Sequence, residues 1–551
     1  MVREFSGEVL LILGAGIMQG PAISQACDMG LYTVVVDGDP TASEATRADR
    51  FECIDLKDKD GILELARSLR STGTLSGVMT AGTDFSATVA WVAENLGLPG
   101  IPYEAALNAS DKDRMRRCFA AARVPSPQFT TFTAPFSSKK LPFDYPAVVK
   151  PVDNMGGRGC RRVNSPEELA AALVEALRFS RSGKAIVEEF MEGPEFSVDA
   201  IVHKDEITVC GFADRHIFFP PYFIEMGHTM PSALNSPDTQ ALLETFFAGV
   251  RSLGITAGYG AAKGDLKLTP RGPMIGEIAA RLSGGYMSGW TYPYASGVEV
   301  TRGAILAALG RRWSPGPDLY RTSAERAFIS IPGRVLSIHG LEKARSTEHV
   351  KDIFLRIAEG SPVEFPENNV GKCGNIISAA PSRKAAMDAA SSAARSVLIR
   401  LEPNQPETDT FLAMGPMASP IFPPCAYTLG PELHGLLEAL PDPPIPDSSP
   451  SAPDAPPIGI LPFPDFTQSG LRDYAGRTPA ESLEAIRIIT GLLLPIIEQG
   501  LIVSKGPVRS PEFQGLVLGR RFWQALVRGG YQGAAYFIDT ILSGGGGQNS
   551  V

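Results

Sequence analysis

Two acids on what read as neighbouring strands pose the first question of chemistry: Asp265 in AAKGDLKL and Glu277 in PMIGEIAARLSGG. The turn Thr269-Pro270-Arg271-Gly272-Pro273 makes those strands a hairpin and brings both carboxylates onto one face. Two such charges about 4 Å apart repel by roughly 4 kcal/mol at an effective dielectric of about 20, so a cation or a proton belongs between them. Oxygen ligands that leave positions for phosphate and water suit Mg²⁺. Taken alone, two separately solvated acids fit the same residues. A second signal is Lys150-Pro151-Val152-Asp153-Asn154-Met155-Gly156-Gly157-Arg158-Gly159 at the end of another strand. Its glycines let backbone amides close on phosphate oxygens while the ammonium neutralises their charge. It is not the GxxxxGK[ST] loop, and a mobile surface turn is its plain alternative.

Next comes Glu188-Glu189-Phe190-Met191-Glu192-Gly193-Pro194-Glu195, a strand running into a turn. Such a segment presents backbone groups to an adenine edge and a carboxylate to ribose hydroxyls; an acidic surface hairpin reads equally well. Near the start, Gly14-Ala15-Gly16-Ile17-Met18-Gln19-Gly20 follows a strand, and Asp37 and Asp39 end the next one. That arrangement keeps nicotinamide dinucleotide binding open, although the spacing is GxGxxxG rather than GxGxxG and no hydride-transfer site follows. Otherwise it is a tight turn whose free amides can meet an anionic substrate.

The elements that must hold these residues follow from the pattern. EVLLIL, a helix through Ala26 and TVVVDGD form a βαβ unit, continued by GVMTAGTD (Gly77 to Asp84) and a helix to Leu96. An α+β region from about Asp111 holds strands AVVKPV, AIVEEF and FSVDAIV. A third unit, Phe328 to Leu401, reads as strand FISIPGRVLSI, helix STEHVKDIFLRI and an alanine-rich helix from Ser382. LPDPPIPDSSPSAPDAPP (Leu440 to Pro457) has almost nothing to bury and reads as a linker. Beyond it, Thr478-Pro479-Ala480-Glu481 opens a helix with a capping box, and the terminal GGGGQNSV reads as unstructured.

Composition narrows the function. A chain of 551 residues needs several cores. Its 44% hydrophobic and 20% charged residues are ordinary for a folded soluble protein. A net charge of −9 gives no general attraction to nucleic acid. The seven cysteines lack paired spacing and read as reduced thiols. No apolar run approaches the roughly 20 residues needed to span a bilayer, and the N-terminus lacks a signal-peptide pattern, so a cytoplasmic protein is expected.

Taken in order, these motifs together with SDKDRMR (Ser110 to Arg116), GHTMPS (Gly227 to Ser232) and PGRVLSIHG (Pro332 to Gly340) resemble the ATP-grasp ligases of the carboxylate–amine ligase and biotin-carboxylase-like group, over roughly Glu8 to Leu401. The resemblance implies a multidomain α/β and α+β fold. Its parts would be a Rossmann-like pre-ATP-grasp domain (1–110), an ATP-grasp domain (111–320) and a lid-like subdomain (321–402). A connecting segment (403–439), the Pro-rich linker (440–464) and an accessory domain (465–551), open to a homodimer or partner contact, would follow.

It also implies roles. Lys112 and Lys150 would contact phosphates, and Gly156, Gly157 and Gly159 would form the phosphate loop. Glu188, Phe190 and Met191 would flank adenine, and Glu195 would hold ribose. Asp265 and Glu277 would ligate Mg²⁺, with Mn²⁺ as an alternative. Arg281 would steady the acyl phosphate or substrate carboxylate, and His228 would contact substrate, a surface histidine being its plain alternative. Gly14, Gly16, Asp84, Ser283 and Gly284 are the expected substrate contacts. Ala279 stands where many relatives carry an asparagine, and Asp265 where a glutamate is usual, which puts the number of metal ions in question. The expected activity is ADP-forming ligation of a small-molecule carboxylate to an amine or other nucleophile. Biotin-carboxylase-like and purine-pathway ligases, an NAD-dependent oxidoreductase and a non-catalytic nucleotide-binding protein are the alternatives.

Overall fold

Leu10 to Leu13 are fully buried in the first strand, as an unbroken apolar run inside a parallel sheet requires. In the computed structural model, which describes residues 5–134, 140–316, 319–415, 422–445, 457–497 and 515–544, the chain begins with β1 (Glu8–Leu13), α1 (Gly20–Met29), β2 (Tyr32–Asp37) and β3 (Arg50–Cys53). It continues with α2 (Lys59–Thr72), β4 (Thr74–Thr80) and α3 (Ser86–Leu96). The sheet order is β3-β2-β1-β4, all parallel. Its carboxyl edge, where doubly wound sheets take ligands, carries the Gly14 turn and the segment after Thr80.

After α4 (Tyr103–Ser110), Asp111 accepts from the backbone N–H groups of Asp113 (2.8 Å) and Arg114 (3.0 Å) and so starts α5 (Lys112–Ala122). A small antiparallel sheet of order β5-β8-β6-β7 follows, from β5 (Phe129–Phe132), β6 (Ala147–Pro151), β7 (Arg161–Val163) and β8 (Ala185–Glu189). Between β7 and β8, α6 (Pro166–Phe179) packs Ala172, Leu173 and Ala176 onto this sheet. The larger sheet comprises β9 (Glu195–His203), β10 (Glu206–Phe218), β11 (Ile224–Met230), β12 (Tyr259–Thr269) and β13 (Gly272–Ala279). These run in the order β13-β12-β9-β10-β11, and within the same unit the sheet continues beyond β11 through residues 322–325 and then 377–380. Here α7 (Ser236–Ser252), capped by Asn235, buries Leu242 and Phe246 against Val198, Ile275 and Ile278. That packing leaves the other face of the sheet to polar side chains. The helices α8 (Tyr292–Ser296) and α9 (Val300–Ala308) return to the N-terminal core, and β14 (Thr322–Phe328) follows.

Two compact units result: residues 1–325 with 377–387, and residues 326–376 with 388–551. The chain runs on through β15 (Gly333–His339), α10 (Leu341–Arg345), β16 (Val350–Leu355), β17 (Pro362–Val363), β18 (Gly374–Ala380), α11 (Arg383–Ser396) and β19 (Leu398–Leu401). The remaining elements are α12 (Pro406–Ala413), α13 (Pro431–Ala439), β20 (Ile458–Ile460), α14 (Pro464–Thr467), α15 (Pro479–Thr490), β21 (Leu516–Leu518) and α16 (Arg520–Leu542). Among the described residues no helix is long and apolar enough to cross a membrane.

Two expected elements differ. The run STEHVKDIFLRI is not a helix: residues Val350–Leu355 form β16. Its β-branched and aromatic residues favour an extended chain. The expected single strand FISIPGRVLSI is interrupted: Phe328 ends β14, residues 329–332 lie outside any strand with a bend at Pro332, and β15 begins at Gly333. The capping box at Thr478 and Glu481 is formed, and α15 ends at Gly491 in the left-handed region. Residues 446–456 of the Pro-rich stretch and residues 545–551 lie outside the described residues, whereas Ile458 to Ile460 pair with β21. The tail expected as an accessory domain shares its unit with residues 326–376. Arg400 donates to both carboxylate oxygens of Asp539 (2.8 and 2.7 Å), and Tyr536 packs with Val335, Phe411 and Leu412.

Candidate functional site

Asp265 and Glu277 are direct partners in the β12–β13 register, with an irregularity immediately after Asp265. The polar face around them is densely charged. Lys263 and Arg215 (3.1 Å) pair with Asp265, Ser197 donates to it (3.3 Å), and Lys112 reaches Glu277 (3.3 Å). Burial alone would raise the Glu277 carboxyl, but Lys112, Lys263, Lys150 and Arg281 hold it well below the usual carboxylate range. Burial likewise pulls the Lys112 ammonium down, yet Glu277, and Asp84 beyond it, leave it above its ordinary value. Glu277 is thus an anion among cations at neutral pH. Two carboxylates with open positions are the donor set a phosphate-bridging divalent cation needs. Among the described residues no three His, Cys, Asp or Glu side chains gather into a fuller cage.

The glycine loop is rooted at its start. Asp153 accepts from Ser180 Oγ (2.9 Å) and the amides of Arg181 (2.9 Å) and Ser182 (2.7 Å). The Asn154 side chain donates to Phe179 O (2.7 Å), and Lys112 Nζ donates to Asn154 O (2.9 Å). Gly156, Gly157 and Gly159 have φ of 70°, 78° and 66°, the region where a side chain is strained. A Cβ at Gly159 would also come within 3.0 Å of the Phe179 ring. The loop's glycines are therefore demanded by its path.

The expected nucleotide contacts are brought to one place, with two side chains otherwise engaged. Glu188 is buried with Arg116 (2.8 Å) on one oxygen and Lys150 (2.7 Å) on the other, so its carboxylate is an ion-pair anchor, and what it can offer adenine is backbone. Burial raises its carboxyl, but Arg116 and Lys150 outweigh that and lower it. Glu195 pairs with Lys267 (3.0 Å) and Arg215 (3.2 Å). Phe190 lies under the Arg162 guanidinium (4.6 Å) and the Lys267 ammonium (5.0 Å), and Lys267 also donates to Met191 O (2.8 Å). Cys160, just past the loop, is pushed up to about 11 by burial and is an inert thiol.

At the other end of the face, Asp199 stands opposite Lys263 in the register and is fully buried. It accepts from both the amide (3.1 Å) and the hydroxyl of Ser283, which pins the loop after Arg281. Burial pushes the Asp199 carboxyl up to about 6 against those hydrogen bonds. Ser283, expected to touch substrate, thus spends its hydroxyl inside the protein. Gly284 lies against Gly82, where a Cβ would meet the Gly284 Cα at 3.3 Å. Arg281 donates one Nη to Leu282 O (2.9 Å), while its buried Nε has no protein acceptor. His228 is not a surface histidine. It is fully buried between Glu325 (2.9 Å) and Glu225 (3.3 Å). Burial would lower it, but the two carboxylates raise it to about 9, so it is an imidazolium at neutral pH. A Cβ on Gly285 would come within 3.0 Å of Glu225 and 3.5 Å of His228, which places this cluster beside the same loop.

In the N-terminal turn Asp37 accepts from the amides of Ala15 (2.8 Å) and Asp39 (2.9 Å), so the acid expected for a dinucleotide ribose is bound into the turn itself. Gly14 has φ 100°, and Gly16 precedes a helical turn at Ile17–Gln19. The residues that motif reading missed are Arg116, Arg215, Glu225, Lys263 and Glu325. Lys263 was findable, two residues from Asp265 on one strand face. Glu225 lies three residues from His228 on β11, whereas Arg116, Arg215 and Glu325 meet their partners only through packing of distant strands and helices.

Residues 143–289 match the ATP-grasp domain family, and residues 327–402 match the L-amino acid ligase C-terminal domain 2 family. The chain therefore carries an ATP-grasp domain followed by an L-amino acid ligase C-terminal domain. It is 26% identical over 365 residues to the uncharacterized protein y4rH of Sinorhizobium fredii, covering 65% of this chain and 75% of that one. It is also 26% identical over 337 residues to carnosine synthase 1 of Gallus gallus, covering 55% of this chain but only 35% of that protein. The fold matches the crystal structure of L-amino acid ligase from Bacillus licheniformis with TM-score 0.63 and 21% identity, over 72% of this chain and all of that one.

Proposed function

We propose that the chain joins the carboxylate of one amino acid to the amino group of another, forming ADP. The observation that carries this reading is the acid pair Asp265 and Glu277, ringed by Lys112, Lys263 and Arg215, on an ATP-grasp domain followed by an L-amino acid ligase C-terminal domain. In this reading a carboxylate oxygen attacks the γ-phosphorus of ATP, the bond to the bridging oxygen breaks, and ADP leaves. The amine nitrogen then attacks the acyl carbon, phosphate departs, and the amine gives up a proton.

Lys112, Lys150 and the amides of the Gly156–Gly159 loop receive the phosphates, and Phe190, Met191 and the backbone at Glu188 receive adenine. Releasing Lys150 from Glu188 would leave that carboxylate with Arg116, so Lys150 can turn to a phosphate without orphaning a buried charge. Glu195 faces ribose from between Arg215 and Lys267. Asp265 and Glu277 would hold Mg²⁺, which supplies charge stabilisation at the transferring phosphoryl group. Arg281 has a fork that can hold two oxygens at once and serves the substrate carboxylate and its acyl phosphate. The buried cluster of His228, Glu225 and Glu325, with Asp199, fixes the wall on which Arg281 and Gly284 stand. Incubation with Mg·ATP and amino-acid pairs tests the reading: ADP and a mass equal to the two amino acids less water are expected together. Nucleotide binding without ADP from any pair would refute it.

A further inference from the structure

A cavity of about 50 Å³ lies beside Arg281, and its origin is legible in the strand register. β13 ends opposite Lys263, at Ala279, while β12 starts four residues earlier, at Tyr259. The first residues of β12 therefore run on past the end of their hairpin partner. β4, α3 and the Gly100-Ile101 segment approach that edge, α9 closes it, and the space they leave is lined by Val78, Ile101, Ala261, Ala304, Ala308 and Arg281 among others. About 10–15 Å³ suffices for one water-sized group, so the cavity takes about three or four.

The chemistry of the wall narrows what belongs there. Three hydroxyl-bearing side chains line it: Thr80, whose Oγ1 donates to Leu13 O (2.7 Å), Ser86, whose Oγ contacts Ser110 Oγ (3.4 Å), and Tyr259, whose ring packs edge-on against His203. The remaining wall is largely methyl and methylene, apart from the Arg281 guanidinium with its buried, unaccepted Nε. A fully hydrated polar group would lose its water here without replacement. Arg281 is also close enough to lower the carboxyls of Glu277 and Asp199, so one guanidinium borders both the reacting face and this cavity.

We propose that this cavity is a side-chain subsite for the carboxylate substrate, sized for a short unbranched aliphatic group of about two or three carbons, with Ala304 and Ile101 setting its depth. The inference rests on Arg281 holding the reacting carboxylate: a carboxylate on the fork then has its α-substituent within reach of the chamber behind it.

Acyl-phosphate formation can be read apart from the natural acceptor by trapping with hydroxylamine, whose nitrogen attacks the acyl carbon, expels phosphate and leaves a hydroxamate. The full chain is assayed with Mg·ATP and glycine, alanine, 2-aminobutyrate, norvaline or phenylalanine, and nucleotide binding is measured for every variant. Wild type is expected to favour 2-aminobutyrate and norvaline, with phenylalanine at least tenfold lower, since one methylene in a fitted pocket is worth about tenfold or more. Ala304→Leu fills the chamber and should lower the norvaline-to-glycine ratio at least tenfold. Ile101→Ala deepens it and should raise the phenylalanine-to-glycine ratio; should the first variant fold poorly, the second decides. Hydroxamate formation with the same side-chain profile in wild type and a nucleotide-binding variant overturns the subsite and leaves the ligase reading standing. Nucleotide binding with no hydroxamate from any of these acids overturns the reading beneath it.

Discussion

Replacing His228 by glutamine removes a buried cation from between two carboxylates, and the pH dependence of stability reports whether the structure assigns its charge correctly. The imidazole rises from an ordinary value near 6.5 to about 9 because Glu225 and Glu325 outweigh the cost of burying it. At about 1.4 kcal/mol per tenfold, that rise corresponds to about 3 kcal/mol of linked stability. The sign follows from the folded value lying above the unfolded one. The contribution is complete below about pH 6.5 and is lost as pH climbs through about 9. Urea unfolding of the full chain between pH 6 and 9.5, followed by a probe in the first unit, should therefore show wild type losing up to about 3 kcal/mol that His228→Gln does not lose. At pH 6 the variant should be weaker by about 3–5 kcal/mol, because two buried carboxylates lose their cation. A ring-proton titration of His228 by NMR should centre near 9. Equal pH slopes in wild type and variant, or a midpoint near 6.5, would refute the assignment.

Glu188→Gln should cost about 3–5 kcal/mol by leaving Arg116 buried without its carboxylate. Because the Glu188 carboxyl is depressed, that stability is present above about pH 4.3 and fades as pH falls through the lower folded value, so the two proteins should converge in acid melts. Glu277→Gln should lose turnover far more than nucleotide affinity, whereas Arg281→Ala should keep ATP binding and lose product; near-normal product from either removes that residue from the reaction. Mg·ATP, and not NADH, should raise the melting temperature, by mass action on the native state. The opposite pattern would restore the oxidoreductase alternative. A chain ended at Asp442 should show exposed apolar surface by dye binding, since it lacks Trp523, Phe522 and Ile538, which are buried in the core of the second unit. An unchanged dye signal would make the tail dispensable.

The candidate site was legible where residues lie close in sequence. A hairpin with so short a connection, only Pro270-Arg271 between the paired Thr269 and Gly272, fixes its own register, so Asp265 and Glu277 could be paired before any fold was known. The glycine loop was equally plain, because only glycine tolerates its φ values. What reached the site through distant pairing could not be read. Arg215 meets Asp265 across β9, and Glu325 meets His228 from almost a hundred residues away. The error at β16 has another cause: VKDIFL offers apolar residues at spacings that suit either period, and strand pairing decided the matter where propensity was ambiguous. The tail escaped reading because its partners lie far back in the chain, as Arg400 does for Asp539.

The return of residues 377–387 to the first unit has a consequence for how the protein emerges from a ribosome. The ATP-grasp sheet is continuous in sequence up to Glu325, yet the segment that supplies Ser378, whose carbonyl accepts from Ser323 Oγ at 2.9 Å, is made only after most of another sheet-forming stretch. At roughly 5–20 residues per second the nascent chain spends about 3–12 s with the first unit lacking that segment and a strand edge uncovered. An exposed edge is a template for foreign pairing. Translation that stalls in this interval leaves a nearly finished first unit open along one side, so the interval between these two codon stretches is where a chaperone would matter most to the yield of this protein.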